Sequence, residues 1–285
     1  MNMWHPLLSH LTPPAKLSTS EFFSFLRDDE AEISVFGVPF DGTSTLRKTS
    51  RFAPSVMREV SKCLWEGNIF AEDINRYSIS DFGDVEIDSD DPEEMIERVE
   101  NFLREIPKKH LIAVGGEHLI TYPVAMVTDS PVLSFDAHLD LCESYEGRKF
   151  SHATVMRRIS ETGREVVIVG YRTFHPDELK FARSSENVTA VTSREVKENP
   201  EEVISILQSF DDVYLSLDLD VFDPSYAPSV STPEAFGISP WDFLKLTENL
   251  KIKHGDIVEL SPGYDAGETA VLAVYLLTRL ISLIL

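Results

Sequence analysis

Short apolar blocks, dense in Val, Ile, Leu and Phe, recur along the chain and are separated by polar stretches whose apolar residues fall at helical spacing. After about 30 irregular or helical residues, the first convincing strand is Ile33 to Pro39. A turn at Asp41-Gly42-Thr43 and a polar loop, Arg47 to Pro54, then lead into a helix expected near Ser55 to Glu66. Ile79 to Val85 belongs to a second strand or its exit, and Asp91-Pro92 starts a helix with Met95, Ile96, Val99, Phe102 and Leu103 on its apolar face. Further strands are expected at Leu111 to Val114, Val132 to Phe135, Glu165 to Tyr171, Val188 to Val191, Val213 to Val221 and Ile257 to Leu260. Between them, Ser151 to Thr162 reads as a helix with Ser151 as its N-cap, and the apolar tail from Ala270 to Leu285 as a buried closing helix rather than a membrane span. About eight strands alternating with helices imply a parallel sheet covered on both faces. Nothing in the sequence interrupts that alternation, so residues 1–285 are expected to form a single domain. A closed eight-stranded barrel is the competing topology, and it would use the same rim.

Polar chemistry concentrates where the apolar blocks end. Val132 to Phe135 runs into Asp136-Ala137-His138-Leu139-Asp140, so continued period-two geometry would put Asp136, His138 and Asp140 on one face. Val213 to Leu217 delivers Asp218 and Asp220, with Asp223-Pro224 just beyond. Leu111 to Val114 exits through Gly115-Gly116, which lets the backbone turn sharply and present His118 to the same rim, and Glu259 lies at another strand end. Carboxylates packed this densely repel one another, and without cations their pKa values would be driven up; divalent metal is the simplest resolution. The donor set, oxygen-rich with two imidazoles and no thiolate, suits manganese or a similar hard ion.

Acidic residues number 48 against 26 basic ones, a formal charge of −22 that argues against nucleic acid as a partner and favours small cations. Solubility alone is an equally good reading of that charge. Two cysteines, Cys63 and Cys142, make no disulfide framework and point to a reducing compartment. The N-terminus lacks the basic and apolar regions of a secretory signal, so a cytoplasmic protein without membrane attachment is expected.

In these segments the sequence resembles the ureohydrolase family, which includes agmatinase and arginase. The matching stretches are Gly115-Gly116-Glu117-His118, Asp136-Ala137-His138-Leu139-Asp140, Ser151-His152-Ala153-Thr154 and Asp218 to Pro224 with Ala227-Pro228 and Ser231-Thr232-Pro233. Weaker matches are Gly37 to Asp41, Asp81 to Asp84 and Glu259 to Pro262, all in the family's order. The resemblance implies an α/β/α sandwich around a parallel sheet of about eight strands, with two Mn2+ ions per subunit. His118, Asp136, Asp140 and Asp218 would hold one ion, and His138, Asp136, Asp218 and Asp220 the other. It further implies attack of an activated water on a guanidinium carbon, giving urea and an amine, with His152 carrying a proton to the leaving amine and Glu259 pairing with the guanidinium. Asp140 counts among the catalytic groups as well as the ligands. Four carboxylates against two divalent ions leave the site nearly neutral. Family members commonly assemble as trimers or hexamers, so a homo-oligomer is expected.

The substrate end is less marked. Glu143 and Glu146, in the loop after the first ligand segment, could face the far ammonium of agmatine, although solvated surface charge is the competing reading and Arg148 and Lys149 lie near. Gly170 to His175 lacks the aspartate pair, and Leu141 to Phe150 the asparagine and serine arrangement, that meet the amino-acid end of arginine in arginases. Agmatine hydrolysis to putrescine and urea, a step of polyamine biosynthesis, is therefore favoured over arginine or guanidinobutyrate, with a non-catalytic metal-binding subunit as the reading from another class. The family's common Gly-Gly-Asp-His appears here with Glu117 in place of the aspartate. His5, His10, His110, His175 and His254 read as structural or exposed, Asp223 as a turn former ahead of Pro224, and Cys142 as a packing residue.

Overall fold

A computed structural model describes residues 28–64 and 77–284 together with Phe22 and Phe25. The N-terminal expectations therefore lie mostly outside the described residues. Strands β1 (Ile33–Val38), β2 (Ile79–Asp84), β3 (His110–Gly115), β4 (Val132–Phe135), β5 (Val166–Tyr171), β6 (Val188–Thr192), β7 (Val213–Asp218) and β8 (Ile252–Val258) form one sheet in the order β2-β1-β3-β8-β7-β4-β5-β6. Every described pairing is parallel. The sheet is open, with β2 and β6 at its edges, so the barrel alternative does not apply.

Strand composition follows from burial on both faces. β1, β4, β5 and β7 are buried at every position, so they read as continuous apolar runs rather than alternating ones. Successive residues feed two separate cores. Leu133, Phe135, Val167, Val169, Leu215 and Leu217 join the core that holds Met57 and the apolar side of α9 (Glu268–Leu283). Val132, Val166, Ile168 and Tyr214 join the one that holds Met95 and Val99 of α2 (Pro92–Leu103) with Met156 and Ile159 of α4 (Val155–Ser160). Helices α1 (Ala53–Ser61), α3 (Thr121–Ala125), α5 (Pro176–Ser184), α6 (Ser193–Glu198), α7 (Pro200–Leu207) and α8 (Pro240–Leu246) complete the two outer layers, giving the expected three-layer sandwich.

Several boundaries differ from expectation for identifiable reasons. α1 begins at Ala53 because Pro54, whose missing N–H costs nothing in a first turn, opens the helix instead of ending the loop. The helix expected over 151–162 is a 3-10 turn, His152–Thr154, followed by α4, with the Thr154 hydroxyl accepting from the Ser151 N–H at 2.9 Å. β7 stops at Asp218, whose carboxylate caps a 3-10 turn over Leu219–Val221. β8 runs over 252–258 rather than 257–260 and ends where Glu259 takes a left-handed φ of 66°.

One buried group in β8 gives the fold a pH dependence. His254 is 2 % exposed, and its Nδ1 accepts a 3.1 Å bond from the Leu111 N–H, a role open only to the neutral ring. Burial, with His110 and Lys253 nearby, pushes its pKa down to about 4. Because the folded value lies below the unfolded one, protons favour the unfolded chain, and stability is lost as pH falls from about 6.5 towards 4. The stability advantage of the unmodified protein over His254→Asn should thus shrink by up to about 3 kcal/mol between pH 7 and pH 4. Parallel denaturant titrations of the two proteins measure this, and a pH-independent difference would refute it.

Candidate active site

The carboxyl ends of the four central strands, β3, β8, β7 and β4, meet at one place in the sheet, where strand order reverses between the β3 and β4 crossovers. Each contributes one set of side chains: His118 follows β3, Glu259 follows β8, Asp218 and Asp220 close β7, and Asp136, His138 and Asp140 follow β4. The exit of β3 needs its glycine. A Cβ on Gly116 would lie 1.8 Å from the carbonyl oxygen of Phe40, to which the adjacent Glu117 N–H donates at 2.8 Å. His118 therefore reaches the rim because β1 and β3 can touch there.

Past Phe135 the chain leaves extended geometry, so the three residues of the first ligand segment converge by loop conformation rather than by period two. Asp140 and Glu259 both adopt left-handed φ values, 50° and 66°, unfavourable for residues with a Cβ. Backbone amides aim the carboxylates: His138 N–H donates to Asp136 Oδ1 at 2.6 Å, Ala137 N–H to Asp220 Oδ1 at 3.0 Å, and Asp220 N–H to Asp218 Oδ1 at 2.8 Å. Arg172 clamps the loop behind Asp220, donating to the carbonyls of Asp220 at 2.6 Å and Glu234 at 2.9 Å.

His118 Nδ1 lies 3.1 Å from Asp136 Oδ2, 2.9 Å from Asp140 Oδ2 and 3.3 Å from Asp218 Oδ2. Even so, His118 Nδ1 and Asp136 Oδ2 are buried with no hydrogen-bond partner, as expected of donor atoms that face a shared point instead of each other. His138 Nδ1 is 3.0 Å from Asp220 Oδ2 and 3.5 Å from Asp136 Oδ1. Two groups able to hold a metal ion result, His118–Asp136–Asp218 and Asp136–His138–Asp220, with Asp136 common to both.

Electrostatics agree with the need for cations. Burial, reinforced by Asp136, pushes the Asp140 carboxyl up to about 7, and burial with Asp220 and Asp136 raises Asp218 well above the carboxylate range. Burial also opposes ionisation of Asp136, but His118 and His138 overcome it and hold that group below its usual value. Both imidazoles are raised in return, against the desolvation that acts to lower them. A site whose histidines must be protonated to balance its carboxylates is one that divalent ions would balance better.

Above this floor is a cleft of about 570 Å³. Glu259 lines it; its Oε1 accepts from the His118 N–H at 2.7 Å, while the buried Oε2 has no hydrogen-bond partner. Burial and the Asp220 charge push its pKa up to about 7. His152 is on the wall, part-buried, packed edge-on against Tyr145 at 5.2 Å and lowered to about 4, chiefly by burial and the charge on His138. Glu143 lines the cleft, but Glu146 does not; it sits exposed in the turn closed by Tyr145 and Arg148, where φ is 49°. Arg148 donates to the Gly42 carbonyl and, like Lys149, is absent from the lining, whereas Arg157 and Asp177 are part of it. Asp223 forms the expected turn, accepting from Ser225 N–H at 3.0 Å.

Side chains outside the expected ligand set complete the site. Ser216 bonds His118 Nε2 at 3.0 Å and donates to Asp256 at 2.7 Å, fixing the imidazole from behind. Glu234 approaches His138 Nε2 to 3.8 Å. Glu117 is fully buried and receives Thr43 N–H at 2.8 Å, Ser44 Oγ at 3.1 Å and the Thr43 hydroxyl.

Comparison with known proteins matches this architecture. Residues 31–282 match the Arginase family. An N(1)-aminopropylagmatine ureohydrolase of Thermococcus kodakarensis is 35% identical over 267 residues, covering 90% of this chain and 91% of the relative. An agmatinase of Pyrococcus horikoshii is 34% identical over 265 residues, covering 89% and 92%. The crystal structure of the agmatine ureohydrolase of Thermoplasma volcanium superposes with a TM-score of 0.85 at 34% identity over 94% of each chain. With this match spanning every strand that builds the rim, the chain belongs to the arginase family, as a ureohydrolase of the agmatinase-like kind.

Proposed function

We propose that the protein hydrolyses agmatine to putrescine and urea, using two divalent ions, Mn2+ by preference, held above the central strands. The observation that carries the reading is the buried, unpartnered Oε2 of Glu259 in the cleft that His118, Asp140, Asp218 and Asp220 also line. A carboxyl that ionises near pH 7, with an open acceptor beside a metal-type donor set, suits a guanidinium, which offers N–H donors in a planar fork and favours the carboxylate form. His118, Asp136, Asp140 and Asp218 would hold one ion and His138, Asp136, Asp218 and Asp220 the other. Such ions supply Lewis-acid activation of water for attack on the amidine carbon.

Protein groups supply the rest. Glu259 orients the guanidinium and balances its charge. His152, neutral at working pH because burial disfavours its cation, takes up a proton only transiently and releases it to the departing amine. Glu143 and Asp177, on the cleft lining, would receive the far ammonium. The strongly acidic chain adds a long-range field that favours a dication. Among the described residues no helix is long and apolar enough to cross a membrane. A homo-oligomeric enzyme, trimer or hexamer, in the reducing cytoplasm completes the reading, consistent with free Cys63 and Cys142.

A second reading keeps the chemistry and lengthens the substrate. The cleft volume of about 570 Å³ and its acidic outer wall leave room for an aminopropylated agmatine, the compound named for the Thermococcus relative. A urea-release screen across agmatine, N(1)-aminopropylagmatine, arginine and guanidinobutyrate separates these. kcat/KM for agmatine should exceed that for arginine by at least about tenfold, or roughly 1.4 kcal/mol, and should fall as ionic strength rises. Equal or faster turnover of arginine would overturn the agmatine assignment while leaving ureohydrolysis standing.

A further inference from the structure

Glu117 stands where the resembling family commonly has aspartate, and its carboxylate extends into the loop after β1. There it holds Thr43 at two points, through the backbone N–H at 2.8 Å and through the hydroxyl. The same Thr43 Oγ1 meets His152 twice, accepting from its backbone N–H at 3.1 Å and lying 3.1 Å from its ring Nδ1. A threonine hydroxyl has one proton. In the ionised form of Glu117, whose pKa burial raises to about 8, that proton goes to the carboxylate, Oγ1 faces the imidazole with lone pairs only, and Nδ1 must carry the ring proton.

We propose that Glu117, acting through Thr43, fixes the tautomer and orientation of His152, with Nδ1 protonated and Nε2 left bare for proton transfer. Glu117 is then a positioning residue, not a catalytic one. Its kinetic consequence rests on the ureohydrolase reading; its geometric content does not. Hydrolysis joins water oxygen to the amidine carbon and breaks the carbon–nitrogen bond, whose electron pair leaves with the amine nitrogen. One proton from water must reach that nitrogen. A bare Nε2 can take this proton up and hand it on, while Nδ1–H stays on Thr43 throughout. The other tautomer presents a proton where an acceptor is needed.

The test uses Thr43→Val, which keeps shape and the N–H to Glu117 but removes the hydroxyl, and Glu117→Gln, whose amide can donate to Oγ1 and release the threonine proton towards Nδ1. Nitrogen-15 NMR of histidine-labelled protein, with the His152 signals assigned by their loss in His152→Ala, should show the Nδ1–H form in the unmodified chain. It should show a mixture in Thr43→Val and a shift towards Nε2–H in Glu117→Gln. Either variant should lower kcat by about tenfold with KM changed less than about twofold and metal content unchanged. In a His152→Ala background Thr43→Val should cost nothing more, because the group it positions is gone. An unaltered tautomer in both variants, or an undiminished loss in the His152→Ala background, would overturn the proposal. If the unmodified protein releases no urea from any guanidino compound, the functional reading fails and the NMR result alone decides this one.

Discussion

Asp136→Asn is expected to abolish urea release, by at least about 100-fold, and to leave fewer than two divalent ions bound per chain. Asp136 is common to both candidate ligand groups and, like Asp218, belongs to both proposed ion sites, so the loss of its charge affects each ion. Asparagine keeps the side chain's size and the acceptor that receives the His138 N–H, so the loop after β4 should retain its path. The change falls instead on Oδ2, the buried oxygen without a hydrogen-bond partner, where an amide would replace an anionic donor. Metal analysis alongside urea release is the measurement. Two ions per chain with full activity in this variant would rule out a shared bridge.

His152→Ala should lower kcat by about 10²–10⁴ while leaving metal content intact. His152 is in neither ligand group, and its ring meets Thr43 and Tyr145, so removing it should not disturb the candidate metal ligands. A group that serves the departing amine affects the chemical step rather than substrate capture, so the effect belongs in kcat with little change in KM. Single-turnover kinetics keep chemistry rate-limiting. An unchanged rate under that condition would remove His152 from the mechanism.

Legibility in the sequence followed burial. Strands covered on both faces must be apolar throughout, and in β4 and β7 that run ends abruptly in carboxylates, so both the strand and the site at its end could be read from a few residues. β8 is legible only at its end because Lys253, His254 and Asp256 interrupt its apolar pattern; His254 and Asp256 are buried and satisfied by partners on β3 and β7 that local sequence does not display. Loop residues showed the same limit. Glu143 and Glu146 look equivalent in the chain, yet a left-handed turn at Glu146 places only Glu143 on the cleft. Thr43 lies in a legible turn, and Glu117 departs from the aspartate common in the family. Their meeting depends on the contact between the β1 and β3 exits, which no local pattern encodes.

The central claim, metal-dependent hydrolysis of a guanidino group at the β3-β8-β7-β4 rim, is tested most directly by urea release from agmatine by one preparation in three states. These are the protein as purified with Mn2+, after exhaustive chelation and dialysis, and after Mn2+ is restored, with ions per chain counted in each. The expected result is activity in the first state, none in the second, and recovery in the third in step with two ions bound. Urea release that survives complete removal of metal, or no urea from any guanidino compound with two ions bound, would contradict it.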